Sequence, residues 1–142
     1  MKYTIGIDPD TKAHGVAVFE NGKLTKLDTW TLVQLLGFLE NSPYNGAKWV
    51  IEDVTKNNFV YGRNAQQSKQ AHAKIARNVG MCQQAMAELV RFLEHYQQEY
   101  KLIPPNSHNW AKDPDRFKLM TGWKARSNPD TRSAAFFGFL GL

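Results

Sequence analysis

Tyr3, Ile5 and Ile7 alternate with Lys2, Thr4 and Gly6, a period of two that predicts a strand over residues 3–8. That strand closes on Asp8, a carboxylate on an otherwise apolar run. A second strand follows at 14–20 (HGVAVFE). Asn21–Gly22 is the strongest short hairpin signal, so residues 23–31 return as a third strand. The spacing then changes: Leu32, Leu35, Leu36 and Leu39 share one face of a helix over 31–40, which NSPYNG ends. Residues 48–54 (KWVIEDV) form a short, continuously apolar strand that runs into Glu52 and Asp53. A polar loop over 55–64 carries two exposed aromatics, Phe59 and Tyr61. The long helical stretch at 65–98 is expected to be interrupted near Asn78–Gly80. Its second half aligns Met81, Ala85, Leu89, Phe92 and Tyr96. A brief strand over 101–106 stops at Pro104–Pro105. Two helices close the chain, the first capped by Asp113 with Pro114 at its first position, the second capped by Asn128 with Pro129 in its first turn.

Three antiparallel strands, a helix, a strand, a long helix, a strand and further helices imply an α/β fold. Crossover helices after a meander call for a mixed sheet covered on both faces. The expected architecture is ribonuclease H-like: a mixed five-stranded sheet, made of a three-stranded antiparallel meander plus two parallel strands, with helices on both faces. With 142 residues and no repeat, low-complexity tract or linker, residues 1–142 read as a single domain.

Composition narrows the class. Hydrophobic residues make up 42% and aromatics 12%, which excludes disorder as the default. No apolar run approaches the roughly 20 residues of a membrane span. The first residues enter a strand without a signal-peptide layout, and a cytoplasmic location is expected. The single cysteine, Cys82, excludes an internal disulfide and four-thiolate zinc sites; flanked by Met81 and Met86, it reads as a buried structural thiol. Eighteen Lys and Arg against thirteen Asp and Glu give a net charge of +5 and a pI near 9.4, a balance suited to a polyanionic partner.

Three acids fall at comparable places. Asp8 ends the first strand, Glu52 ends the fourth, which should lie beside the first, and Asp130 sits in the first turn of the last helix. Each has an ordinary reading: Asp8 before Pro9 as a turn residue, Glu52 or Asp53 as a solvated strand end, Asp130 as a helix-dipole residue. Together they suggest more. Carboxylates held close repel one another unless a cation sits between them, and hard oxygen ligands favour Mg²⁺ or Mn²⁺. Paired divalent ions are the means by which such sites hydrolyse phosphodiesters.

The motifs themselves resemble a known family. IGIDPDTKAHGVAVFENGKL resembles the opening of RuvC-type Holliday junction resolvases, and WVIEDV resembles their second acidic motif. AKIARNVGMCQQAM is similar to the glycine-containing helix that follows, and NPDTRSAAFFG to the terminal helix motif. The phage-like branch is nearest. This resemblance implies a crossover junction endodeoxyribonuclease with catalytic, metal-ligating Asp8, Glu52 and Asp130, a Mg²⁺ or Mn²⁺ cofactor, branched DNA as substrate and a homodimer that makes two symmetric nicks. The chain departs from the family pattern in one place. If Asp130 is the first acid of the terminal motif, Ser133 stands where the second belongs; if the register slides by three, Ser127 stands first and Asp130 second.

Lys12, Lys56, Arg63, Lys69, Lys74 and Arg77 cluster around the first two acidic motifs, and Lys112, Lys118, Lys124, Arg126 and Arg132 around the third. A solvated face would account for any one of them. Their concentration near the acids suggests a rim for the nucleic-acid backbone, drawn chiefly from Lys12, Lys56, Arg63, Lys69, Lys74, Arg77, Lys124 and Arg126. Phe59 and Tyr61 are placed to stack on unpaired bases or to tuck into the core. His72 and His95 are expected to face solvent, and His14 and His108 are given no role. The apolar face of the long helix and the Phe136–Phe139 segment are the candidate dimer surfaces.

Three other functions fit parts of the pattern. A two-domain actin-like ATPase shares the opening strand pair but needs a second such domain. A YqgF-type RNA-processing nuclease matches in length but lacks a glutamate where Glu52 stands. A non-catalytic nucleic-acid-binding module fits the loss of one acid at Ser133.

Overall fold

The computed structural model describes residues 2–41, 43–56 and 68–142. The loop aromatics Phe59 and Tyr61 and the basic residue Arg63 lie outside them. Five strands form one sheet in the order β3-β2-β1-β4-β5. β1 (Tyr3–Asp8), β2 (His14–Glu20) and β3 (Lys23–Trp30) make the antiparallel meander, while β4 (Lys48–Glu52) and β5 (Glu99–Ile103) run parallel to β1. Asn21 and Gly22 both take positive φ, 51° and 85°, the pair of left-handed residues that matches a two-residue turn to the strand twist.

Alternation along the strands divides the core in two. Ile5, Ile7, Val16, Val18, Trp49 and Ile51 point to one face, where they pack with Leu35 and Leu39 of α1 (Leu32–Asn41) and with Met86, Leu89 and Leu93 of α2 (Lys69–His95). Ala17, Phe19 and Val50 point to the other, under α4 (Pro129–Leu140), a 3₁₀ turn at Trp110–Lys112 and α3 (Pro114–Thr121). Both expected caps are made: the Asp113 side chain accepts from the Arg116 N–H, and Asn128 and Thr131 form a reciprocal capping box.

Several details differ from expectation. α2 runs unbroken from Lys69 to His95, through Asn78 and Gly80. Gly80 is exposed, with nothing within 4 Å of where a side chain would begin, so nothing there requires a break. The inward stripe of α2 is His72, Ile75, Val79, Cys82, Met86, Leu89 and Leu93, not the stripe through Met81 and Ala85; Met81 is half exposed. Both stripes are apolar, and the sheet selects one. His72 therefore lies buried at the head of the inward stripe, where a solvent-facing position was expected. Phe136 and Phe137 are buried against Trp110 and Phe117, while Phe139 of the same segment is only partly buried. No helix among the described residues is long and apolar enough to cross a membrane.

α4 lies unusually close to the sheet. A Cβ on Gly138 would stand 2.7 Å from the Phe19 ring and 3.2 Å from Gly6, and one on Gly6 would enter the α4 backbone at Ala134. Gly138→Ala should therefore destabilise by about 2–3 kcal/mol through overpacking. Gly80→Ala, in open helix, should stabilise by about 0.5–1 kcal/mol. Urea denaturation of the two variants measures both, and a Gly138→Ala protein as stable as the parent would contradict this packing.

Candidate active site

Parallel pairing sets the first two acids side by side. Ile7 pairs with Ile51, so Asp8 and Glu52 are the next residues on adjacent strands and fall on the same face, at the strands' C-terminal ends. Their carboxyls share a hydrogen bond. Burial, then the Glu52 and Asp130 charges, push the Asp8 carboxyl up to about 8, and only a hydrogen bond from Ser133 pulls it down. Burial also raises Glu52. This pair holds a proton where a cation would otherwise neutralise it.

α4 brings the third acid from the opposite end of the chain. On the antiparallel side, Asp8 pairs with Gly15. A Cβ at Gly15 would sit 2.6 Å from the Asp130 carbonyl oxygen and 3.1 Å from its Cβ. The missing side chain at Gly15 thus lets the first turn of α4 rest on β2 beside Asp8. Asp130 is exposed at this rim; partial desolvation and the charge of Asp10 raise its carboxyl. One turn further along α4, the buried Ser133 hydrogen-bonds Asp8. Ser127 instead accepts from the Arg132 guanidinium at 3.0 Å. Of the two registers, the one with Asp130 first and Ser133 second puts Ser133 at Asp8 and Asp130 at the rim of the site.

The fit to a divalent cation is partial. Asp8 and Glu52 offer adjacent hard oxygens in a half-buried, proton-sharing pair, the donor set Mg²⁺ or Mn²⁺ prefers. Among the described residues, however, no three His, Cys, Asp or Glu side chains stand close enough together to enclose an ion. Asp130 acts on Asp8 through its charge rather than beside it.

Neighbours missed in the sequence complete the site. A cleft of about 280 Å³ opens over Asp8 and Glu52, walled by Asn78, Val79 and Cys82 of α2. Cys82 is thus half-buried on the cleft wall rather than sealed in the core, with its thiol raised by burial and by the Asp10, Asp8 and Glu52 charges. Asp10, two residues past Asp8, is a fourth carboxylate whose charge reaches Asp130 and Cys82. Its backbone N–H donates to His14 Nδ1 at 3.1 Å, and burial lowers the His14 imidazole. His14 therefore anchors the loop behind Asp8. Asp53 turns away: its carboxylate accepts from the N–H and hydroxyl of Thr55. The Asp-Pro-Asp spacing was the available signal for Asp10; a glycine opening a strand, as at Gly15, gives none.

The basic residues divide. Lys12 and Lys56 are exposed on the segments directly after Asp8 and Glu52, and Lys69, Lys74 and Arg77 are exposed on α2, with Lys74 one turn before Asn78 of the cleft. Lys124 and Arg126 are exposed between α3 and α4, and Arg126 opens onto β3 beside Leu27 and Thr29 rather than onto the acids. Arg132 is structural, donating to the Ala111 carbonyl at 2.7 and 3.2 Å. The only ion pair among the described residues is Lys26–Asp28, at 3.5 Å, so none of these cations is neutralised by one.

No protein-family model matches the chain, and no curated protein matches it. A solved structure does: RuvC of T. thermophilus in complex with a Holliday junction substrate superposes with a TM-score of 0.61 over 98% of this chain and 91% of that chain, at 13% identity. At that identity the likeness is one of fold, and the fold is ribonuclease H-like.

The raised Asp8 has a thermodynamic signature. Its carboxyl moves from an ordinary 3.8 to about 8 on folding. The folded chain binds that proton more tightly, so this group's contribution to the metal-free protein is complete below about pH 4 and lost as pH rises through about 8. Asp8→Asn removes the loss. At about pH 9 the metal-free variant should melt about 3–6 °C above the parent, equivalent to ~1–2 kcal/mol, and the difference should vanish near pH 4. Calorimetry at the two pH values checks this, and equal gains at both would contradict it.

Proposed function

We propose that the protein is a divalent-metal-dependent endonuclease that cuts branched DNA, with four-way junctions as the substrate class. The observation that carries this reading is the half-buried Asp8–Glu52 pair at adjacent strand ends, joined from above by Ser133 and Asp130. Two carboxyls raised by burial, Asp8 further by neighbouring negative charge, are costly to a fold, and such perturbed pairs gather at functional sites. The fold shared with a RuvC solved in complex with a Holliday junction substrate, and the cations around the cleft that are in no ion pair among the described residues, support DNA as the partner.

In this reading Asp8 and Glu52, once free of their shared proton, would hold Mg²⁺ or Mn²⁺, with Asp130 adding negative charge at the rim. The ion would supply Lewis-acid activation of the scissile phosphodiester. Ser133, a neutral hydroxyl, donates to the Asp8 carboxylate and fixes its orientation without adding charge. Lys12 and Lys56, directly after the two strand ends, and Lys69, Lys74 and Arg77 along α2 would grip phosphates on either side of the cleft. Lys124 and Arg126 would extend the grip toward β3. Two symmetric nicks call for two copies, so the reading includes a homodimer. Its interface must use surface other than the buried Phe136 and Phe137.

A second reading, a nucleic-acid-binding module without cleavage, draws on the absence of three enclosing ligands among the described residues and on a serine beside Asp8. A synthetic four-way junction separates the two. With Mg²⁺ or Mn²⁺ the parent protein should cut it, while Asp8→Asn and Glu52→Gln should lose roughly a thousandfold in rate yet bind it as tightly or more so, because carboxylate–phosphate repulsion is relieved. Binding without cleavage by the parent protein would select the module. Full activity in Asp8→Asn would remove the site assignment.

The grip has its own measurement. Each phosphate contact contributes close to one unit to the slope of log affinity against log salt. Neutralising Lys74 and Arg77 together should flatten that slope by about one to two units for junction DNA. An unaltered slope would put the DNA path elsewhere.

A further inference from the structure

A cavity of about 680 Å³ lies away from the acids, between α3, the Trp110–Lys112 turn and the C-terminal half of α4. It shares no lining residue with the Asp8–Glu52 cleft. Its floor is aromatic: Trp110 packs against Phe136 and Phe139, each with ring centroids 5.4 Å away. Met120 and Leu140 open onto it although they are 41% and 46% exposed, and Leu119 beside Met120 is 81% exposed. Large aliphatic side chains left in water next to a hollow mark a binding surface more often than a passive one. Lys112 and Arg116 stand on the same lining, both exposed and in no ion pair among the described residues. The nearby Asp113 carboxylate is turned to the Arg116 backbone N–H, at 3.1 Å, as the cap of α3.

We propose that this cavity docks an acidic peptide segment of a partner protein, with a bulky apolar side chain as the anchor. The volume accommodates one or two such side chains on the aromatic floor. Lys112 and Arg116 then receive the flanking carboxylates. Nucleic acid fits less well. Trp110 and Phe136 are only 2% and 8% exposed and offer no open ring face for a base to stack on. The site depends on neither the acid pair nor its proposed chemistry.

Fluorescence anisotropy tests it directly. The probes are labelled peptides of about ten residues, each a run of Asp and Glu around a single Leu, Phe or Trp. Controls are lysine-for-acid counterparts with the same anchors, acidic peptides without an anchor, and labelled single-stranded and duplex DNA. An anchored acidic peptide should bind with micromolar affinity, and its counterparts should not. Arg116→Glu and Met120→Glu should each weaken that binding by about tenfold or more. Both positions are exposed, so circular dichroism and melting should match the parent and folding is not at issue. Failure of every anchored acidic peptide to bind below about 1 mM would overturn the proposal. Peptide binding indifferent to both variants would also overturn it. So would DNA binding that both variants weaken alongside or in place of peptide binding, since it would assign the cavity to nucleic acid.

Discussion

Backbone meets backbone where α4 crosses β1 and β2, and the rest of the molecule is arranged around that contact. Gly6 and Gly138 face each other with no side chain between them, and Gly15 admits the first turn of α4 in the same way. A helix normally stands off a sheet by the depth of two side-chain layers. Here the separation collapses along one line, and the collapse carries Asp130 and Ser133 to the end of β1. Were either glycine layer filled, α4 would ride higher and its polar first turns would no longer reach Asp8. The close contact is thus what makes the site.

The site in turn works against the fold. Burial raises both Asp8 and Glu52, and like charge raises Asp8 further, so in the absence of a cation they are held by a proton. The opposing stability comes from two apolar layers on either side of the sheet, in which the tryptophans Trp30, Trp49 and Trp110 are almost completely buried. The two layers sit beneath the strand ends rather than at them, which leaves the polar cleft open to solvent without breaching the core. Ser133 moderates the strain: a hydroxyl satisfies one carboxylate oxygen without adding a further charge to the cluster.

Most of this was legible in the sequence, for identifiable reasons. Strands announce themselves through alternation and the hairpin through Asn21–Gly22, and caps such as Asp113–Pro114 and Asn128–Pro129 are local. The element order and the mixed sheet followed, as did the alignment of Asp8 with Glu52 at neighbouring strand ends. Choices between two equally apolar options were not legible. α2 presents a stripe through Cys82 and Met86 where the one through Met81 and Ala85 looked as good, which moved His72 inward and Cys82 to the cleft. Nor does a sequence reveal what a side chain is used for once folded: Arg132 and Asp53 look like site residues but hold their own loops. The choice between Ser133 and Ser127 needed the path of α4 over Gly15, which only the tertiary structure supplies.

The span between the site's parts also bears on how the protein matures. Asp8 and Ser133 are 125 positions apart in the chain, and they meet only after β1 has paired on both sides and α4 has docked across it. Contacts of such long sequence separation form late, because the loop-closure entropy must be overcome before they contribute anything. A partly folded chain, with its meander made but α4 undocked, would carry Asp8 without its hydroxyl partner and without Asp130. On the reading that the site cuts DNA, intermediates on the folding route would be unable to nick it, and competence would arrive in one step with the last helix.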